Sequence, residues 1–522
     1  MESSENFPRN ETILTRATIV FALCASLNSA NLGYDIGVST EAGRLIQDDL
    51  QLSRFEREMF TGSINFWAMF GAFFAHHFTD TYGRRSTFIL AAVGFIVGVL
   101  LQSFSSTFDL LMLGRSFVGL GVGTGLAVDP LYIAEVTPPH HRGELVTWSE
   151  IANNVGLVLG FSTGFFLAWL PDGQEWRLMI LLGAILPTVM IALVIFVIPE
   201  SPRWLISRNR VDEATEILLQ TYPPGSDVDL VVEEIKQAII RERVAENSVG
   251  WMVLLHPTPA IQRMLLVGIG TAVSQQIVGI DAIQYYLLDV IDESGIESRQ
   301  AQSAVLVILG IVKLSFVILG GKLFDTKGRR PLLFISLIGM AVSLALVSLA
   351  FWIDTAWSQG VIICGLGLYL AFFSVGVGPG AWLIPSEVFA NCIRGKAMSV
   401  AAFWNRLGAT IMASTFLSIA NGVGWAGFFL LLSGASLLVL FFLYTYLPET
   451  KGRSLEDMSV YFAEITKDGF ILEAEAALYK DDGDELELAS SSLQHTLPPS
   501  SLAHRPFSEA NANLHSEKDQ LL

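Results

Sequence analysis

The sequence predicts an all-α membrane protein whose twelve transmembrane helices form two pseudo-symmetric six-helix halves. Duplication is the first observation behind that prediction. Asp80-Thr-Tyr-Gly-Arg-Arg85 returns as Asp325-Thr-Lys-Gly-Arg-Arg330, 245 residues later. Glu135 with Arg142-Gly143 returns as Glu387 with Arg394-Gly395. Pro199-Glu200-Ser201-Pro202-Arg203 returns in weaker form as Pro448-Glu449-Thr450-Lys451-Gly452-Arg453. Three patterns in one order at nearly one spacing mark an internal repeat. Composition is the second observation. The 522 residues are 52% hydrophobic and 16% charged, with mean hydropathy +0.51. An average soluble domain is about 25% charged, so this much apolar surface calls for lipid.

Apolar stretches long enough to cross a bilayer core of about 30 Å recur in two sets of six. The first set lies near 16–36, 58–79, 87–107, 110–133, 144–170 and 176–198. The second lies near 262–292, 298–325, 331–353, 360–389, 395–420 and 424–447. The chain therefore divides into an N-terminal segment (1–15), a first half (16–199), a linker with helical patterning (200–260), a second half (261–462) and an acidic, largely disordered tail (463–522). With twelve spans, the basic residues of all three duplicated patterns fall on one face, which the positive-inside rule makes cytoplasmic. The net charge of −18 does not oppose this. Residues 463–522 hold 12 acids against 4 bases and 200–250 hold 10 against 6, and long acidic segments weigh little in that rule. Polar residues 1–15 run straight into the first span, without a cleavable signal pattern.

Several function classes lack any support. Cys24, Cys364 and Cys392 show no pairing or metal-ligand spacing and read as small apolar residues. No Walker loop, HExxH or nucleophile elbow is present, so neither an enzyme nor a cofactor or metal site is expected. Asn10-Glu11-Thr12 is a glycosylation sequon that the topology leaves on the cytoplasmic side. The glycines of Gly119-Leu-Gly-Val-Gly-Thr-Gly125 read as close helix packing, not nucleotide binding. Ionisable groups inside spans are costly and by default functional or paired. Here they are Asp35, Arg115, Glu150, Asp281, Lys313 and Arg406, three acids and three bases.

These motifs, with Pro130-Leu-Tyr-Ile-Ala-Glu135, Gln275-Gln276, Gly279-Ile280 and Gly378-Pro379-Gly380-Ala381-Trp382, resemble the sugar porter family of the major facilitator superfamily over residues 16 to 460. Arg142-Gly143 with Glu150, Trp176-Arg177-Leu178-Met179, Pro257-Thr258-Pro259-Ala260, Gly279-Ile280-Asp281, Lys313 and Asn405-Arg406 are most similar to plant-type polyol/monosaccharide–proton symporters. The resemblance implies alternating access around a site between the halves. Gln275 and Gln276 would bind sugar hydroxyls, since an amide offers donor and acceptor together; hydrogen bonding between helices is the plainer role. Trp382 would bound the site, or simply pack. Glu150, Asp281, Lys313 and Arg406, beside Asn405, replace neutral or aromatic residues common in hexose carriers. They suit a substrate of many hydroxyls, or form structural pairs Asp281–Lys313 and Glu150–Arg406. Asp35 with Arg115 resembles the proton-coupling pair of the family, although a permanent salt bridge uses the same residues.

The cytoplasmic motifs imply a gate. Asp80, Arg84 and Arg85 with Glu200 and Arg203, and Asp325, Arg329 and Arg330 with Glu449, would hold the outward-facing state closed on the inside, joined by Glu135, Arg142, Glu387 and Arg394. His76, His77 and Asp129 depart from the family pattern; the histidines read as helix-end residues and Asp129 has no account from sequence. The expected partners are a small polyhydroxylated substrate, a co-transported proton and the bilayer, with no nucleic acid and a monomeric chain. Glu517-Lys-Asp-Gln-Leu-Leu522 resembles an acidic dileucine sorting signal, which sets a vacuolar or endosomal membrane beside the plasma membrane. The rivals to a symporter are a passive facilitator and a non-transporting sugar receptor on the same scaffold.

Overall fold

The computed structural model of the chain describes residues 14–168, 173–248, 250–353, 355, 357–472 and 474, without the side chains of 243–248, 322 and 325. The sequon at Asn10, the acidic tail beyond 474, the dileucine pattern and the Asp325 side chain lie outside the described residues. Those described form helices and connecting turns, with no strand among them.

The first half contains α1 (Arg16–Asp49), α2 (Arg54–Tyr82), α3 (Arg84–Ser103), α4 (Phe108–Val136), α5 (Arg142–Leu167) and a sixth span built from α6 (Glu175–Leu182) and α7 (Ile185–Phe196). The linker carries α8 (Pro202–Ser207), α9 (Val211–Thr221), α10 (Val228–Ser248) and α11 (Met252–Leu255). The second half opens with a broken span, α12 (Pro259–Ile277), α13 (Ile280–Tyr285) and α14 (Leu287–Glu293). It continues with α15 (Arg299–Lys327), α16 (Arg329–Ile353), the broken α17 (Ser358–Val375) and α18 (Val377–Val388), then α19 (Arg394–Tyr446) and α20 (Leu455–Thr466). Among the described residues, nine helical stretches are long and apolar enough to span, by length and composition. One of them, α19, has 53 residues and turns at Gly424 (φ 77°, ψ 156°), which divides it into two spans. α2 and α5 have spanning length but carry polar inward residues that lower their hydropathy. With them the count of twelve is complete.

Close packing explains the glycines. A Cβ on Gly37 of α1 would lie 2.5 Å from the Leu157 carbonyl of α5, and one on Gly160 would lie 2.6 Å from the Tyr34 carbonyl. In α4, Gly119 meets α2 (Ile64 O, 2.9 Å) and Gly121 meets α3 (Ala91 O, 2.7 Å). Small residues let backbones approach where lipid supplies no hydrophobic drive. The duplication is visible in the backbone: Gly83 and Gly328, at the same place in the first repeat, have φ of 89° and 91°. In the linker, Leu205, Ile206, Ala214, Leu218, Val228 and Val232 make a small core. The Thr18 hydroxyl donates to the Thr221 carbonyl (2.8 Å), tying α9 to the start of α1. Past the expected boundary at 462, α20 runs on to Thr466, and the Asp468 carboxylate accepts the Ala260 amide (3.1 Å).

Candidate functional site

Asp35 sits midway along α1, and Arg115 reaches it from α4. Arg115 Nη1 donates to both Asp35 oxygens at 2.8 and 2.9 Å. Its Nη2 donates to Ser39 Oγ (3.0 Å) and its Nε to the Phe60 carbonyl (3.3 Å), while the guanidinium lies 4.4 Å from the Phe60 ring centroid. The Arg115 side chain is 1% exposed and that of Asp35 is 11%. Two charges so far from water hold each other, and losing one partner costs about 3–5 kcal/mol. A carboxylate loses its charge on protonation, so Asp35 is the member of the pair that can change charge.

The break after α12 builds the next cluster. Gly279 takes a left-handed conformation (φ 85°, ψ 18°), which ends α12 and starts α13. Gln275 Oε1 accepts Asn405 Nδ2 (2.9 Å), and Gln276 Nε2 donates to Asn405 Oδ1 (3.4 Å). Asn405 also donates to the Ala272 carbonyl (2.7 Å), and Gln275 Nε2 to that of Gly378 (3.2 Å). Arg406 of α19 donates to Asn65 Oδ1 of α2 (3.2 Å), lies 3.9 Å from Asp281 and stands 6.0 Å from the centroid of Trp382. Lys313 donates to Gln284 Oε1 (2.7 Å), and Glu150 accepts Asn154 Nδ2 (3.0 Å).

The charges do not divide into the separate pairs Asp281–Lys313 and Glu150–Arg406 that the sequence left open beside substrate binding. Arg406 stands 3.9 Å from Asp281, Glu150 feels the charges of Lys313, Asp281 and Arg406, and Lys313 feels those of Glu150 and Asp281. Asp281 and Gln284 lie three apart on α13, hence on one face, so α19 reaches the first and α15 the second. One four-charge cluster replaces two separate pairs. Gln276 Oε1 and Asn65 Nδ2 beside it, and Ser149 Oγ, Asn153 Oδ1 and Asn154 Oδ1 on α5 next to Glu150 in sequence, are buried without a hydrogen-bond partner among the described residues. Leaving such atoms unpaired costs about 1–3 kcal/mol each, and a ligand rich in hydroxyls can satisfy both donors and acceptors among them.

The gate motifs close within their own halves. Arg84 grips Glu135 with Nε and Nη2 (2.8 and 2.7 Å) and stands 3.6 Å from Asp80. Glu200 accepts the amides of Arg84 (2.8 Å) and Ser201 (2.9 Å). Arg85 donates to the Val194 carbonyl (2.8 Å), and Arg203 turns to Glu242 of α10. The second copy repeats this: Arg329 to Glu387 (2.7 Å), Glu449 accepting the amides of Arg329 and Arg330 (3.1 Å each), and Arg330 to the Tyr444 carbonyl (2.7 Å). Arg142 and Arg394 open α5 and α19 without an ion pair among the described residues. His76 is exposed at the end of α2, 3.3 Å from Asp80. Asp129 is held by Asn28 Nδ2 (2.9 Å) and Ser29 Oγ (2.5 Å), a buried link between α4 and α1.

Sequence reasoning missed a second set of contacts that joins the halves, at the end of the molecule opposite the duplicated motifs. Arg57 makes a fork with Asp289 (2.8 and 2.6 Å). Glu58 accepts the amide of Ser418 (2.7 Å), Ser303 donates to Glu41 (3.1 Å), Arg299 pairs with Glu175 (2.6 Å) and Arg44 with Asp292 (2.7 Å). Charges at the ends of spans were the available signal, but none belongs to a repeated motif. This set closes the halves against each other at that end.

Residues 21–462 match the family model described as "Sugar (and other) transporter". The chain is 36% identical over 469 residues to "Probable polyol transporter 4" of Arabidopsis thaliana, covering 88% of each chain. It is 30% identical over 449 residues to "Glucose transporter GlcP" of Staphylococcus epidermidis, covering 86% of this chain and 98% of that one. Its fold superposes on the E. coli xylose transporter XylE in a partially occluded inward-open conformation, with TM-score 0.72 and 24% identity over 84% of this chain and 99% of that one. The match is equally good to the proton:xylose symporter XylE bound to 6-bromo-6-deoxy-D-glucose, with TM-score 0.72 and 25% identity over 85% and 99%. Duplicated motifs, twelve spans, the family model and these relatives lead to one conclusion: the chain belongs to the sugar transporter family of the major facilitator superfamily.

Proposed function

We propose that this protein carries a polyol or monosaccharide across its membrane together with a proton, by alternating access. Membership of the family makes it a sugar or polyol transporter. The single observation that supports coupling is the Asp35–Arg115 contact, buried in the first half and made by the one member that can take up a proton. An ionised Asp35 is held by Arg115; a neutral one is not, and the helices α1 and α4 then gain freedom to move with loaded substrate. The central cluster of Gln275, Gln276, Asp281, Trp382 and Arg406, with its unpartnered amide atoms, is the proposed substrate site. The cytoplasmic networks of Arg84–Glu135 and Arg329–Glu387 are the proposed inner gate, preassembled in each half for docking when the inside closes.

The test uses purified protein in proteoliposomes, with radiolabelled sorbitol and xylose as probes. An inward proton gradient should drive accumulation of at least one probe by the wild type. Asp35→Asn should abolish accumulation while leaving counterflow exchange. Gradient-blind equilibration by both proteins would mean a facilitator, and binding without flux would mean a receptor.

A further inference from the structure

A cavity of about 310 Å³ at the cytoplasmic end of the second half is lined by Arg263, Arg330 and Arg453, together with Tyr444, Tyr446 and Tyr461. Three guanidiniums thus converge from α12, α16 and the turn before α20. Among the described residues none of the three is in an ion pair. Arg330 spends Nη2 on the Tyr444 carbonyl (2.7 Å), and its Nε is buried without a partner. Arg263 lies 4.2 Å from the Tyr446 ring centroid and Arg453 5.1 Å from that of Tyr461. The carboxylate on this wall, Glu449, has its oxygens engaged by the amides of Arg329, Arg330 and Lys451. The result is concentrated positive charge walled by aromatic rings.

The internal duplication supplies a comparison within one molecule. Arg85, the counterpart of Arg330, makes the same kind of carbonyl contact, with Val194 at 2.8 Å. Arg203, which closes the first copy of the third pattern as Arg453 closes the second, is neutralised by Glu242 of the linker. In the second copy Arg453 makes no such close ion pair among the described residues; the nearby charge it feels is that of Asp457, which is spent on capping α20 at Ser454, and the cavity can take a further anion. Depth indicates where. Tyr444, which lines the cavity, and Phe441, three residues before it on α19, are 64% and 69% exposed at the end of the last span, the level at which aromatic residues meet lipid headgroups. Basic pockets between helices on the cytoplasmic side suit anionic headgroups.

We infer that this cavity binds the phosphate of an acidic phospholipid from the cytoplasmic leaflet. Arginine forks match phosphate oxygens in pairs, and the Tyr444 and Phe441 surface receives the acyl chains. Because Arg330 is bonded to α19 through the Tyr444 carbonyl and to Glu449 through its own amide, an occupied cavity braces the inner end of the second half.

Native mass spectrometry of the full-length protein, titrated with phosphatidylglycerol and with phosphatidylcholine, tests this. Phosphatidylglycerol should bind more tightly. The double substitution Arg263→Gln, Arg453→Gln should weaken it about 30-fold, taking each surface arginine at its usual contribution, and leave phosphatidylcholine unchanged. The Lys versions of both should recover only part of the binding, since they restore the charge and not the fork. If the double variant does not fold, Arg453→Gln alone, in an exposed turn, should weaken binding about fivefold. Equal binding of the two lipids, or phosphatidylglycerol binding indifferent to the substitutions, would overturn the site. Inorganic phosphate that displaces the lipid and is lost in the same variants would overturn the membrane as its source.

Discussion

Replacing Asp289 by asparagine removes the charge from the fork that Arg57 throws across the halves, and the structure sets the size of the effect. Both side chains are shielded, at 5% exposure for Arg57 and 14% for Asp289. Breaking a buried ion pair costs about 3–5 kcal/mol. Asparagine retains one acceptor, and Arg57 keeps Gln47 Oε1 at 3.3 Å and the Tyr286 ring at 5.5 Å. The expected loss is therefore about 2–3 kcal/mol. The contact requires the ends of α2 and α14 away from the duplicated motifs to meet, so on the proposed orientation the loss falls on the closed-outside state. The population open to the outside should rise about 30- to 150-fold. Ser303 reports this, since it is fully buried and bonded to Glu41 across the halves. With the native cysteines replaced, Ser303→Cys should react with a membrane-impermeant maleimide at least about tenfold faster in the Asp289→Asn background. An unchanged labelling rate in a protein of unchanged thermal midpoint would refute the assignment of this fork as an outer lock.

Gly160→Val should lower the thermal midpoint in lipid, because its side chain would enter the Tyr34 carbonyl of α1; overpacking of this kind costs about 1–3 kcal/mol, and an unaltered midpoint would contradict the packing account. Gln276→Leu should raise the KM for the transported sugar about tenfold or more with little change in thermal stability; an unchanged KM would remove Gln276 from the substrate site. Burial pushes the Glu200 carboxyl above its ordinary range despite the amides of Ser201, Arg84 and Arg85. At the less buried Glu449, burial also acts upward, but the amides of Lys451, Arg329 and Arg330 outweigh it and hold the carboxyl below that range. Glu200 thus contributes stability that is present below its ordinary range and lost as pH rises through its folded value. Glu449 contributes stability present above its ordinary range and lost as pH falls. Thermal melts of Glu200→Gln and Glu449→Gln across acidic pH should diverge from wild type in opposite directions, and parallel curves would contradict the assignment.

The duplication was legible because both copies must make the same turn: Gly83 and Gly328 share one backbone conformation with φ near 90°, and the amides that follow each are taken by Glu200 and Glu449. The charges inside the spans were legible because lipid makes each one conspicuous, and Asp35 and Arg115 do meet. Their pairing elsewhere was not. Which base reaches Asp281 depends on the break at Gly279, whose φ of 85° turns α13 and aims its side chains. The outer closure was hidden for another reason. Arg57, Glu175 and Asp289 stand at or near the ends of helices, where charge is ordinary, and their partners lie more than a hundred residues away. Asp129 looked anomalous in the sequence because Asn28 and Ser29, which hold it, lie on another helix.

Proton movement during substrate entry is the most direct test of the account. Proteoliposomes loaded with a pH-sensitive dye and held without an imposed gradient should acidify inside when sorbitol or xylose is added to wild-type protein. Asp35→Asn should leave the dye silent while labelled substrate still exchanges. If the wild type equilibrates labelled substrate with no change in internal pH, the proton is not cargo, and Asp35–Arg115 is a structural salt bridge.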